Sequence, residues 1–146
     1  MNILQAIADR KVFAPWFDRG DWTAWQAFLA ALFGLPMTAD QLALYRECTG
    51  RVTPPAAPFA EAALVCGRRG GKSFALALIA VFAATFRDWR PFLQRGERAT
   101  IVIVAADRRQ ARSIFRYITA LIEGVPMLAG LIERQTQEAI DLHRSV

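Results

Sequence analysis

The stretch AALVCGRRGGKSFALALIAVFAATF, residues 62–86, predicts the fold of this chain more strongly than any other. It begins with an apolar run, residues 62–66, that indicates a short buried strand. A glycine-rich loop (residues 67–71) follows, and Lys72 and Ser73 then begin a long apolar helix. A strand, a loop and a helix in this order are the context in which a phosphate-binding P-loop occurs.

Each residue type in this stretch suits a phosphate group. Gly67, Gly70 and Gly71 leave backbone N–H groups accessible to an anion, because no Cβ blocks the approach. The N-terminus of the following helix adds a favourable dipole. We expect Lys72 to bond the β- and γ-phosphates of ATP and the Ser73 hydroxyl to ligate Mg²⁺. An ordinary glycine-rich turn before a buried helix is the alternative.

The loop departs from the common P-loop pattern at two points. The first glycine of G-x-x-x-x-G-K-[ST] is replaced by Cys66, and the loop contains Arg68 and Arg69. The variant GRRGGKS resembles the Walker A motif of phage terminase large subunits, the ATPases that drive DNA into proheads. The resemblance implies a catalytic role for Lys72 and for one of the two arginines, which would clamp the γ-phosphate. Two arginines facing solvent at the rim of the loop are the alternative.

A second apolar run, ATIVIVAA at residues 99–106, reads as a strand buried on both faces and therefore indicates a parallel sheet. The two runs and the helix between them predict a right-handed βαβ crossover. We therefore expect an α/β fold, a three-layer P-loop NTPase with helices flanking a parallel sheet, here incomplete. The predicted division is a helical N-terminal segment with a proline-rich connector, residues 1–58, and a truncated ATPase core, residues 59–146.

The N-terminal segment contains two predicted helices. Asp21 is a candidate N-cap for a helix over residues 22–33, and its aromatic face is more typical of a core than of a base-stacking platform. Thr38 and Gln41 have the spacing of a capping box for a second helix that Gly50 ends. Beyond the second apolar run, Asp107 is a candidate N-cap for a helix with an apolar stripe.

Two further stretches are similar to terminases. The stretch WTAWQAFL, residues 22–29, looks like the adenine-recognising W-Q motif of that family. The resemblance makes Gln26 a reader of the adenine edge, since an amide both donates and accepts, and Gln41 is the rival candidate. An exposed helical glutamine is the alternative for either. IVIVAADRRQA, residues 101–111, is similar to the terminase segment that follows the Walker A helix.

Composition is compatible with this interpretation. The chain has 18 Lys and Arg against 13 Asp and Glu, a net charge of +5, which fits a nucleic-acid partner weakly. Arg109, Arg112 and Arg116 recur at helical spacing, although a solvated helix face is the favoured explanation for them. Two distant cysteines and a single histidine indicate neither a disulfide framework nor a histidine metal cluster. The longest apolar run is too short to span a bilayer.

The expected function is that of the ATP-binding front part of a terminase large subunit. Neither the apolar run at residues 99–106 nor the last segment of the sequence has the acidic pair that a terminase needs for Mg²⁺ and water activation, so we expect no hydrolysis by the 146 residues alone. The resemblance implies ATP, Mg²⁺, double-stranded DNA, the portal protein and the small terminase subunit as ligands and partners, in the cytoplasm of a bacterial host. The alternatives are another P-loop enzyme, such as a helicase or a nucleotide kinase, and a nucleotide-binding remnant without activity.

Overall fold

A computed structural model describes residues 1–143 of the chain. It contains two compact units, with the boundary between Arg68 and Arg69. The first unit consists of α1 (Ile3–Ala8), a 3-10 turn (Ala14–Trp16), α2 (Thr23–Leu32) and α3 (Ala39–Thr49). The second unit consists of α4 (Lys72–Phe86), a 3-10 turn (Arg90–Phe92), α5 (Arg108–Glu123), the short α6 (Pro126–Ala129), β1 (Ile132–Gln135) and β2 (Ile140–Leu142).

Side-chain caps begin two of the helices in the first unit. Asn2 and Gln5 form a capping box at α1, and Thr38 and Gln41 form the predicted one at α3. In each box the side chain of the first residue accepts the backbone N–H of the second, and the side-chain carbonyl of the second accepts the backbone N–H of the first. The predicted helix over residues 22–33 is confirmed as α2, although its N-cap is Trp22 and not the predicted Asp21. Of its predicted apolar face, Leu29 is buried and the others are half-buried: Trp22, Trp25, Phe28, Leu32 and Phe33.

The proline-rich connector is held against the end of α2. The Phe59 N–H donates to the Leu32 carbonyl at 3.0 Å. Gly34 has a φ of +61°, and a Cβ there would lie 2.4 Å from the carbonyl carbon of Ala57, so only glycine fits. The Arg51 guanidinium lies 5.0 Å from the centre of the Phe59 ring, a cation–π contact. These contacts fix the connector locally without regular secondary structure.

The second unit is built around the packing of α4 against α5. The buried side of α4 contains small and large apolar residues, namely Ala75, Ala77, Leu78, Val81 and Phe82. Alanines let the neighbouring backbone approach closely, while the larger side chains fill the space between the helices. On α5 the buried residues Ile114 and Ile122 belong to the predicted apolar stripe, and Leu121 is a buried residue that the prediction did not include. Both helices were predicted correctly, and Asp107 caps α5 by accepting from the Gln110 N–H at 2.8 Å.

The predicted parallel sheet, and with it the α/β P-loop NTPase fold, is wrong. The sheet in residues 1–143 has two antiparallel strands, β1 and β2, and the described structure is mostly helical. Residues 62–66 and 99–105 form no strand, and Val65 and Val104 are 100% and 87% exposed. A β-branched apolar run favours an extended backbone, but a strand exists only where a neighbour completes its hydrogen bonds. Neither run has such a neighbour here.

The end of the described chain forms a hairpin. Ile132 is paired with Leu142, and an irregularity between Ile132 and Arg134 shifts the register. Arg98, in the segment between α4 and α5, forms an ion pair with Glu133 of β1 at 2.9 Å. No helix within residues 1–143 is both long enough and apolar enough to cross a bilayer.

Candidate phosphate-binding site

The glycine-rich loop forms a turn with left-handed backbone at two of its positions. Gly71 has a φ of +79°, and Arg69 has a φ of +63°. Arg69 is the one non-glycine residue with positive φ in the described part of the chain. A left-handed conformation costs a residue with a Cβ about 1–2 kcal/mol. Strain of this kind is concentrated at ligand clamps and active sites, so Arg69 marks the loop as a candidate site.

The N-terminus of α4 differs from the N-termini of α1, α3 and α5, which side chains cap. Its N-cap residue is Gly71, which has no side chain to accept a hydrogen bond, and its first turn contains no acidic residue. By contrast, α1, α3 and α5 each begin with a side chain that accepts a backbone N–H. The N-cap residue of α4 therefore contributes no carboxylate or hydroxyl to the positive end of the dipole, which is a favourable arrangement for an external anion.

The predicted phosphate ligands are accessible from solvent. Lys72, Arg68, Arg69 and Gly70 are exposed, and Ser73 is half-buried in the first turn of α4. Lys72 and Ser73 are adjacent to the uncapped helix start, so a cation and a hydroxyl flank the N-terminal end of the dipole. The chemistry of this set suits a phosphate, since it combines a point charge, a hydroxyl and arginine forks.

Gly67 precedes the turn, and no atom lies within 4 Å of a Cβ built on it. Its φ is not positive, unlike that of Gly71. The local space around Gly67 therefore does not require glycine. The two glycines of the loop differ in this respect, because Gly71 needs its left-handed conformation.

The two candidate adenine-reading residues have different surroundings. The side-chain carbonyl of Gln41 accepts the Thr38 N–H at 3.0 Å, and the residue is buried. Its amide is therefore engaged in the capping box of α3. Gln26 is half-buried on α2, and within residues 1–143 its side chain makes no hydrogen bond. Of the two, Gln26 is the residue that keeps a complete amide for a ligand.

Residues 1–143 contain no group of three or more His, Cys, Asp and Glu side chains that is placed to hold a metal ion. Ser73 is therefore the predicted Mg²⁺ ligand that these residues supply, without a preformed carboxylate cluster beside it. This is compatible with a magnesium ion that arrives with the nucleotide, since Mg²⁺ usually keeps several waters and is held largely by substrate phosphates.

Comparison of the chain with protein families, curated proteins and solved structures finds no match.

The structure adds one contact that the sequence pattern did not indicate. Phe74, directly after Ser73, meets Tyr117 of α5 edge-on, with ring centres 5.7 Å apart. This contact supports the first turn of α4 from the side of α5. Helical spacing places both residues on amphipathic helices, but it does not specify which residue of one helix meets which residue of the other.

Proposed function

We propose that residues 67–73 bind the phosphates of ATP, as the nucleotide-binding front part of a terminase-type motor ATPase. The observation that carries this proposal is the start of α4, where a left-handed glycine, an exposed lysine and an uncapped helix dipole occur together. The GRRGGKS variant and the W-Q stretch support the terminase interpretation at the level of sequence resemblance. The proposal concerns the local loop and helix start, and it does not require a parallel sheet.

Each residue has a defined role in this proposal. Lys72 bonds the terminal phosphates as a point charge, and Ser73 contributes its hydroxyl to Mg²⁺ that arrives with the nucleotide. The backbone N–H groups around Gly70 and Gly71 face the phosphate oxygens. Arg69, rather than Arg68, is the arginine whose backbone strain marks it for the γ-phosphate. The terminase resemblance alone makes Gln26 the candidate reader of the adenine edge.

The partners of the proposed motor follow from the same resemblance. Double-stranded DNA is its substrate, and the portal protein and the small terminase subunit are its protein partners, in a bacterial host. A nucleotide-binding protein without turnover is the second candidate, because it needs the same loop and the same lysine. Because we expect no hydrolysis by the 146 residues alone, the two candidates are separated by steady-state phosphate release from a longer product that contains the acidic pair, with and without DNA.

The test is calorimetric titration with Mg·ATP of the wild type and of two lysine variants. Lys72 and Lys11 are the two lysines of the chain, and both are exposed, so Lys11→Ala is a matched control for charge. A charge-assisted bond to phosphate contributes about 1.5–3 kcal/mol, so Lys72→Ala should weaken binding roughly 10–150-fold. Lys11→Ala should bind like the wild type. Equal affinities for wild type and Lys72→Ala would rule the proposal out.

A further inference from the structure

Four arginines form one exposed face of α5, which we call the α5 basic face: Arg108, Arg109, Arg112 and Arg116. At 3.6 residues per turn they occupy about 100° of the helix circumference. The buried residues of α5, Ile114, Leu121 and Ile122, lie on a different side of the helix. The sequence pattern indicated three of these arginines, and the structure adds Arg108, which begins the helix.

No carboxylate neutralises this face within the described residues. The ion pairs Arg90 with Asp88 and Arg98 with Glu133 lie outside this face. On the α5 basic face the Arg116 guanidinium donates a hydrogen bond to the Ser113 hydroxyl at 3.4 Å. Two acidic residues lie close in sequence and are engaged elsewhere. Asp107 caps the helix, and Glu123 accepts from Gln135 at 3.3 Å.

This arrangement opposes the intrinsic preferences of a helix. Arg108 and Arg109 lie in the first turn, at the positive end of the dipole, directly after Asp107, whose carboxylate accepts the Gln110 N–H. Arg108, Arg112 and Arg116 follow each other at i, i+4 spacing, and each such like-charge pair costs about 0.2–0.5 kcal/mol. A helix face selected only for solvation would mix charges of both signs. The concentration of one sign therefore indicates a polyanionic partner.

We infer that the α5 basic face binds the phosphate backbone of a nucleic acid without reading its bases. From Arg108 to Arg116 the helix rises about 12 Å, a length that faces several phosphates. Arginine forks match phosphate oxygens, while the amide side chains that read adenine are missing from this face. Tyr117 is engaged with Phe74 and does not supply a stacking platform here. The inference rests on α5 alone and does not require ATP at residues 67–73.

The experiment measures binding of two fluorescent DNA duplexes of unrelated sequence by anisotropy across a range of salt concentrations. The test variant is R108Q/R109Q/R112Q/R116Q, because glutamine keeps good helix propensity. The control variant is R10Q/K11Q/R19Q/R134Q, which removes four exposed cations elsewhere and lowers the net charge equally. Circular dichroism and thermal unfolding establish that both variants keep the wild-type fold.

Each phosphate contact contributes about 0.9 to the slope of log K against log salt. The test variant should therefore lose about 3–4 from the slope on both duplexes, and the control should lose less than about 1. Equal losses in the two variants, a loss on one duplex only, or equal wild-type binding to polyglutamate would overturn the inference. Lys72→Ala should leave DNA binding unchanged, so failure of the ATP proposal and failure of this inference are distinguishable.

Discussion

Helices α3 and α4 begin in opposite ways. At α3, Thr38 accepts the Gln41 N–H at 3.3 Å, Gln41 returns the bond, and Asp40 adds a negative charge to the first turn. At α4, Gly71 supplies a left-handed turn and no side-chain acceptor, and the first turn contains a lysine. The α3 start is completed by its own side chains, whereas the N-cap residue of α4 contributes no side-chain acceptor, which is the arrangement that our proposal assigns to an external anion. The comparison separates a helix terminus that its own side chains complete from one that we propose as a binding site.

Replacement of the left-handed glycine of each helix should give the largest difference between them. Gly71 precedes α4 with a φ of +79°, and Gly50 follows α3 with a φ of +68°. Each change to alanine should lower the free energy of unfolding by about 1–2 kcal/mol, because alanine is strained there. Only Gly71→Ala should also weaken Mg·ATP binding, measured by calorimetry. Equal loss of ATP affinity in Gly50→Ala would show that the effect is global.

Removal of the α3 cap should affect stability alone. Thr38→Ala leaves the Gln41 N–H without its acceptor and should cost about 1 kcal/mol in urea unfolding. Thr38→Ser keeps the hydroxyl and serves as the matched control, with a cost near zero. ATP affinity should be the same in all three proteins. A change in ATP affinity without loss of stability would contradict the distinction between the two helix starts.

The features that were predicted correctly depend on residues close together in the sequence. The capping box of α3, the Asp107 cap and the bounds of α4 are determined within a few residues, so the sequence pattern is sufficient for them. Strands are different, because the apolar run around Val65 needs a partner from elsewhere in the chain. Its composition indicates an extended backbone, yet Val65 is fully exposed and unpaired in a ladder. Local composition therefore predicted the helices and failed for the sheet.

The candidate site divides in the same way. Lys72 and Ser73 are correctly placed at the start of α4, because their position follows from the local helix boundary. The strain at Arg69 and the contact of Phe74 with Tyr117 depend on backbone geometry and on helix packing. Neither has a signal in residue spacing. The sequence offered Arg68 and Arg69 as equals, and only their φ values distinguish them.

The strain at Arg69 can be measured against its neighbour. Arg69→Gly removes the left-handed penalty but adds chain entropy to the unfolded state, so it should raise the free energy of unfolding by about 0.5 kcal/mol. Arg68 lacks a positive φ, so Arg68→Gly should lower the free energy of unfolding slightly. If Arg69 also contacts the γ-phosphate, Arg69→Gly should weaken ATP binding while it stabilises the fold. Destabilisation by Arg69→Gly would show that its backbone is not strained.

The smallest expected effect on stability concerns the start of α2. This start is intermediate between those of α3 and α4, because it has one side-chain acceptor but no capping box. Asp21 accepts the Thr23 N–H at 2.9 Å, so this partial cap is a carboxylate rather than the hydroxyl found at α3. Hydrogen bonds from the Thr23 side chain and then from its backbone lower the pKa of Asp21 below its ordinary value of 3.8.

Because the folded-state pKa of Asp21 is the lower one, its contribution is complete above the unfolded-state pKa and is lost as the pH falls through the folded-state value. Stability measured in urea from pH 6 to the acid limit should therefore contain a small acid-dependent component that Asp21→Asn removes. The Thr38 cap does not titrate, so Thr38→Ala should shift the whole profile without changing its shape. An Asp21 pKa at or above its ordinary value, followed by NMR, would mean that the carboxylate does not cap α2 in solution. Acid would then leave the starts of α2 and α3 equally intact.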